Sequence, residues 1–222
     1  MSNIYVPTSG PHGWQRLLAK PEKQWSTGYS AKTLAHCWEA ANGLPPEIAS
    51  MFEPHGRAEL LIAIPEYKVS LPGSSLGASQ NDVFALARVG NLTYAVMVEG
   101  KVNEPFGERL GDWLHNASEG KRERLEYLCK TLGLAQPLPH DLHYQLLHRT
   151  ASAVIEAKRF KTDAAAMIVH SFSPEKMWFD SFARFAALFG ATAVPGKLIA
   201  ARASAPALHI GWACGDCAFL AA

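Results

Sequence analysis

Glu99, Gly100 and Lys101 close an apolar run, Tyr94-Ala95-Val96-Met97-Val98, and it is here that the sequence first offers chemistry. Along a strand, side chains two apart leave the same face with Cα atoms about 6.6 Å apart, so Glu99 and Lys101 project together from an otherwise buried element. Both charges are costly to desolvate unless something pairs or uses them. Asp82 opens the preceding apolar run, and Gly90-Asn91 turns the chain between the two. A hairpin closed at that turn pairs residues whose numbers sum to about 181, which sets Asp82 opposite Glu99. Two carboxylates side by side repel, and a divalent cation is the usual remedy. The spacing therefore predicts a small oxygen-lined metal site with a lysine beside it.

The elements that must hold these residues follow from apolar periodicity and from turn residues. Ser30 reads as the N-cap of a helix with the stripe Leu34, Cys37, Trp38 and Ala41, stopped by Gly43 and Pro45-Pro46. A short helix follows from Pro46 to Phe52. Glu59 to Ile64, Asp82 to Val89 and Leu92 to Val102 form three strands, with Pro72 to Gly77 as a loop after the first. The third strand is apolar on both faces and so belongs in the sheet interior. A charged helical stretch, with a helix from Arg122 to Leu132, ends at Pro137 and Pro139. Then come a long helix from Leu142 to Phe160, a buried strand from Ala165 to Ser171 and a helix from Pro174 to Phe189. A last strand pair within Leu208 to Leu220 turns at Gly215-Asp216. The layout is one mixed α/β domain. It has an N-terminal arm (1–29), a core (31–171) with a helical insert (104–140), and a C-terminal extension (172–222).

Asp82, followed seventeen positions later by Glu99-Gly100-Lys101, resembles the metal motif of the PD-(D/E)XK, or restriction-endonuclease-like, nuclease superfamily. From Ala31 to Ser171 the order helix, three strands, helix, strand is similar to that superfamily's core. Three stretches further resemble an uncharacterised bacterial family within it: Ser79-Gln80-Asn81-Asp82, Val98-Glu99-Gly100-Lys101-Val102 and Tyr144-Gln145-Leu146-Leu147-His148-Arg149. The resemblance implies an α/β restriction-endonuclease-like core and a Mg²⁺- or Mn²⁺-dependent phosphodiesterase that hydrolyses nucleic acid, DNA in the first place. Asp82 and Glu99 would hold the ion, with the Gly100 carbonyl as a third ligand. Lys101 would orient or help deprotonate the attacking water. Glu39 falls where many members carry a further acidic residue, and Gln145 where several branches place a glutamine facing the site. Members often pair, so a homodimer is also an expectation.

Two positions depart from the superfamily pattern. Asn81 stands where the motif has proline, and Arg149 stands where branches with the helical glutamine commonly have tyrosine. Arg149 either binds a phosphate oxygen bidentately or pairs with Glu99 in a site that has lost its metal. The second alternative describes a catalytically inactive nuclease-like domain used for binding or assembly. A third reading is a metal hydrolase for a smaller phosphoester.

Other candidates are weighed against these. Gln145, Arg149, Ser152 and Glu156 recur at helical spacing and form a polar stripe. That stripe is either a solvated face or a cleft lining, in which Arg149 and Ser152 would touch substrate. Glu156-Ala157-Lys158 repeats the E-x-K triplet, but on a helix the two side chains diverge. His140, His143 and His148 lack the spacing of a zinc protease and read as surface residues, and His170 follows an apolar strand toward the site. Cys214-x-x-Cys217 has no partner pair and reads as two small buried residues flanking a turn rather than as a zinc site. Lys121, Arg122, Arg124 and Lys130 alternate with Glu119, Glu123 and Glu126, as on a solvated, salt-bridged helix. Neither a Walker loop nor a G-x-S-x-G elbow is present.

The totals bound the rest. A chain of 222 residues, 48% hydrophobic, is ample for one core. A net charge of +1 argues against a uniformly basic nucleic-acid surface but not against a local positive groove. The start, Met1 to Pro7, lacks a secretion signal, and Arg184, Pro195, Lys197 and Arg202 interrupt the richest apolar region. The expectation is a cytoplasmic protein with no membrane partner.

Overall fold

The computed structural model describes residues 10–73, 77–202 and 206–222. The first nine residues of the arm and Ser74, Ser75 and Leu76 of the expected loop lie outside them. Three strands run as an antiparallel meander: β1 (Ala58–Val69), β2 (Ser79–Val89) and β3 (Leu92–Lys101). The β2–β3 hairpin closes at Gly90-Asn91 and pairs Val89 with Leu92 through to Val83 with Val98. β4 (Ala164–Ser171) lies parallel to β3, β6 (Ala207–Cys214) lies parallel to β4, and β5 (Leu198–Arg202) covers the outer edge antiparallel to β6. The sheet order is β1-β2-β3-β4-β6-β5. β1 runs five residues past the expected end. Pro65 lies within it, and β1 is an edge strand, where a residue without an N–H is tolerated.

The helices split between the two faces of this sheet. On one face, α6 (Glu119–Leu132), α7 (Tyr144–Phe160) and α8 (Phe179–Ala187) bury Leu128, Leu147, Ala151 and Phe185 with Phe84, Met97 and Met167 of the strands. On the other, α3 (Ser30–Ala41) and α4 (Pro46–Met51) bury Leu34, Trp38 and Ile48 with Val83, Val96, Val98 and Ile168. Alternate strand residues thus feed opposite cores, which is why β3 and β4 read as continuous apolar runs. α7 makes the crossover that two parallel neighbours require. Two short helices, α1 (His12–Gln15) and α2 (Pro21–Gln24), interrupt the arm, and α5 (Leu110–Leu114) precedes α6. No helix among the described residues is long and apolar enough to cross a membrane.

Several boundaries differ from expectation for identifiable reasons. Ser30 is the first helical residue of α3 rather than its cap, because Glu104 arrives from 74 positions away and accepts the Ser30 N–H at 2.8 Å. The other oxygen of Glu104 accepts the Val102 N–H at 2.9 Å, so one carboxylate joins the start of α3 to the end of β3. α3 ends on Asn42, in the left-handed region at φ 46°, before Gly43. α8 starts at Phe179, because Trp178 at φ 71° breaks the helical path from Pro174. The hairpin near the C-terminus joins β5 to β6. Gly215 and Asp216 follow it instead, with Gly215 N–H bonded to Ser171 O and Asp216 capping a 3₁₀ turn, Cys217–Ala221. Cys214 and Cys217 are therefore exposed rather than buried. Arg124 is not on a solvated face either: it is buried and donates to the carbonyls of Pro72, Gly73 and Gly77.

Candidate functional site

Glu99 and Lys101 leave β3 on the face that α7 crosses, and both are buried. Lys101 Nζ donates to Glu99 Oε1 at 2.5 Å and Arg149 Nε donates to Oε2 at 2.6 Å. Arg149 also donates to Ser79 Oγ at 3.1 Å, whose hydroxyl lies 2.8 Å from His148 Nδ1. Guanidinium can only donate, so the Ser79 hydroxyl accepts from Arg149 and passes its own proton toward the imidazole. Burial and the Arg149 charge hold His148 well below the usual histidine range, which suits the role of acceptor. Between the two readings of Arg149, the geometry is that of an ion pair with Glu99.

Asp82 sits one step beyond the Val83–Val98 pair. Its Oδ2 accepts the Gly100 N–H at 2.7 Å. A Cβ at Gly100 would lie 3.4 Å from that same Asp82 oxygen, an ordinary contact, and 3.2 Å from Leu34, so the bare backbone chiefly makes room for Leu34 of α3. A third carboxylate was not expected. Glu66 lies on β1 between Pro65, paired with Val83, and Tyr67, paired with Asn81, and so falls beside Asp82. It sits in the left-handed region at φ 51°, a conformation costly for a residue with a side chain, and its carboxylate accepts from Gln80 Nε2 at 2.7 Å.

These groups line a cleft of about 320 Å³. Its floor is Glu66, Asp82, Glu99 and Lys101, with Gln145 and Arg149 from α7 on one side. Tyr29, Ser30 and Ala31 at the start of α3 and Glu104 form another wall, and Leu18, Lys23 and Gln24 of the arm complete it. Gln145 Oε1 is buried there without a hydrogen-bond partner.

The electrostatics divide the three carboxylates. Burial pushes Glu99 up, but Lys101 and Arg149 outweigh it and hold the group at about 2. Burial and the Glu99 charge push Asp82 up to about 7, against the opposing pull of Arg149 and Lys101. Burial and the Asp82 charge push Glu66 up to about 8. The four carboxylates of the cleft, Glu104 included, outnumber its three cations, Lys23, Lys101 and Arg149, and that crowding favours the protonated forms of Asp82 and Glu66.

Other residues singled out by sequence lie elsewhere. Glu39 does not line the cleft: it is on the α3–α4 side, where Oε1 accepts the Trp14 indole N–H at 2.9 Å. Ser152 is buried and donates back to His148 O at 2.7 Å, so it faces its own helix. Glu156 is buried and accepts from Tyr67 Oη at 2.9 Å, which makes that end of the polar stripe a structural contact with β1. His170 points to the opposite face of the sheet, 2.7 Å from Glu47 Oε1. There, Cys37, Glu47 and His170 form a group whose ligand atoms all lie within 4.8 Å of one another and could hold a metal ion. Nothing in the sequence joined these three residues, because they come from α3, α4 and β4 with no motif spacing.

Comparison with known proteins adds a family but no activity. The family described as "Domain of unknown function (DUF6946)" matches residues 7–217, and the chain belongs to it. No curated protein and no solved structure matches.

Proposed function

We propose that the protein is a divalent-metal-dependent phosphodiesterase of the restriction-endonuclease-like class, acting on nucleic acid, with DNA the leading substrate. One observation carries this reading: three carboxylates, Glu66, Asp82 and Glu99, converge beside Lys101 in one cleft, and two of them bind protons far above the ordinary carboxylate range. An all-oxygen donor set with excess negative charge suits a hard cation such as Mg²⁺ or Mn²⁺. Asp82 and Glu66 would hold it, with Glu99 as the third carboxylate. The order helix, three-stranded meander, crossover helix and parallel fourth strand supports the same class. Bound there, the ion would polarise a phosphoryl oxygen and lower the pKa of a coordinated water.

The chain's own groups then have definite tasks. Glu99 fixes the position of the Lys101 ammonium at the cleft floor, where it offsets charge developing on phosphorus. The unpartnered Gln145 Oε1 accepts a hydrogen bond from a water and orients it. Arg149 keeps Glu99 ionised. Asp82 and Glu66, whose proton affinity is raised, would release any proton they carry on holding a cation. The same reading places the protein in the cytoplasm, where nucleic acid and Mg²⁺ meet.

A second reading, an inactive nuclease-like domain for binding or assembly, is favoured by one fact: Lys101 and Arg149 occupy both Glu99 oxygens. Mn²⁺ titration calorimetry on the wild type and Glu99→Ala, at low salt and neutral pH with and without DNA, separates the two. Binding lost in the variant, followed by cleavage of a DNA substrate, supports the enzyme. No binding under either condition leaves the assembly reading.

A further inference from the structure

The second cluster, on the far face of the sheet, has donor chemistry unlike that of the cleft. Cys37 Sγ lies 3.7 Å from Glu47 Oε1, and His170 Nε2 lies 2.7 Å from the same oxygen. Ligands around a tetrahedral zinc, with bonds of about 2.0–2.3 Å, stand roughly 3.3–3.8 Å apart. The sulfur–oxygen edge already has that length, and the nitrogen–oxygen edge needs to open by less than about 1 Å. The three side chains come from α3, α4 and β4, all packed into one core, so the frame that sets these distances is rigid.

Two further observations point to a ligand. His170 is fully buried and aims Nε2 at Glu47, while Nδ1 makes no hydrogen bond, so no second partner fixes the tautomer and Nε2 is free to serve as the nitrogen ligand. The cluster also opens onto a cavity of about 530 Å³ lined by Cys37, Glu47, Cys214, Asp216, Ala40 and Phe219. A thiol and a carboxylate that line the cavity, with a buried imidazole behind them, match a three-ligand zinc centre with its fourth position open. Thiolate and imidazole select zinc and cobalt over magnesium, so the two sites differ in the ion they take.

The geometry points to Cys37, Glu47 and His170 as a Zn²⁺ site, separate from the carboxylate cleft, with its fourth coordination position facing the cavity. On binding, the Cys37 S–H bond breaks and its proton goes to solvent, while the Nε2 proton of His170 is replaced on Nδ1 and Nε2 becomes the nitrogen ligand. One proton is released per ion and no electron moves.

The test is titration of the purified full chain with Co²⁺, then Zn²⁺, with all thiols reduced. A sulfur-to-cobalt charge-transfer band that saturates at one equivalent, is quenched by Zn²⁺ and persists in Glu99→Ala is expected. The exposed pair is removed in Cys214→Ser/Cys217→Ser, which should keep the band, while Cys37→Ser should lose it. The double variant alters only exposed residues, and with Cys129→Ser added it leaves Cys37 as the one cysteine, so a surviving band assigns the ion to Cys37 even where Cys37→Ser fails to fold. A wild type without the band, or a band lost in the double variant, overturns the site. The result is independent of Mn²⁺ binding at the cleft.

Discussion

Arg149 Nε meets Glu99 Oε2 at 2.6 Å across a separation of 50 residues, while Lys101 holds the other oxygen of the same carboxylate. All three side chains are nearly excluded from water. Removing one partner of such a group leaves a charge buried without compensation, at a cost of about 3–5 kcal/mol. Arg149→Ala should therefore lose stability of that order in urea unfolding. Saturating Mn²⁺ should recover part of the loss, since a cation can replace the guanidinium. A loss below about 1 kcal/mol would show that the pair contributes little.

Glu66 gives a pH signature. Its folded-state affinity for protons, at about 8, exceeds that of an unfolded glutamate at 4.5, so the native state binds more protons between those values. Stability from this group is present at low pH and is lost as pH rises toward 8. Glu66→Gln removes the effect while leaving every buried histidine in place. The stability of the variant relative to wild type should thus grow by on the order of 4 kcal/mol from about pH 5 to about pH 9. Glu99 behaves in the opposite sense, since its folded value of about 2 lies below 4.5, and its contribution is lost only as pH falls through that window. A flat difference between wild type and Glu66→Gln would contradict the crowding of carboxylates in the cleft.

Glu39 serves the arm rather than the cleft. Glu39→Ala removes the acceptor of the Trp14 indole and should cost about 1 kcal/mol. Mn²⁺ affinity should match wild type in the same calorimetry that tests Glu99→Ala. A large drop in affinity would return Glu39 to the ligand set.

Glu104 ties two backbones together, accepting from Ser30 and Val102. Glu104→Ala leaves both N–H groups without that partner and should cost about 1–3 kcal/mol. Amide exchange should quicken at Ser30 and Val102 before it does so in β4. Unchanged protection at both positions would show that water replaces the carboxylate without penalty.

What could be read in the sequence depended on how far apart the partners lie. The β2–β3 register was legible because Gly90-Asn91 fixes the hairpin, and each pair follows from the turn by counting. Gln145 and Arg149 were legible as neighbours because a helix repeats its face every four residues or so. Glu66 was not, because three local events decide where it points. The β1–β2 ladder slips at Leu61, Pro65 obscures the continuation of the strand, and Glu66 itself takes a positive φ. The burial of Arg124 depended on loop carbonyls some fifty residues earlier, and alternating charge in its own helix pointed the other way. Glu39 was misplaced because its position along α3 says nothing of which side of the sheet receives its carboxylate. The Cys37, Glu47 and His170 cluster spans 133 positions with no recurring spacing, so only the folded chain assembles it.

The crossover between β3 and β4 has a consequence for the order of assembly. The β2–β3 hairpin can close as soon as it is made, and it then carries Asp82, Glu99 and Lys101 in their final relation. The arginine that neutralises Glu99 arrives only after the insert and the first half of α7 have been synthesised. Until then the end of the hairpin is an anionic, unfinished surface that discourages premature burial. The Arg149–Glu99 contact closes a loop of 50 residues and so costs more chain entropy than the hairpin that precedes it. A nascent chain stopped before residue 149 would hold the cleft floor with Lys101 but without the second counter-charge that Glu99 has in the folded protein.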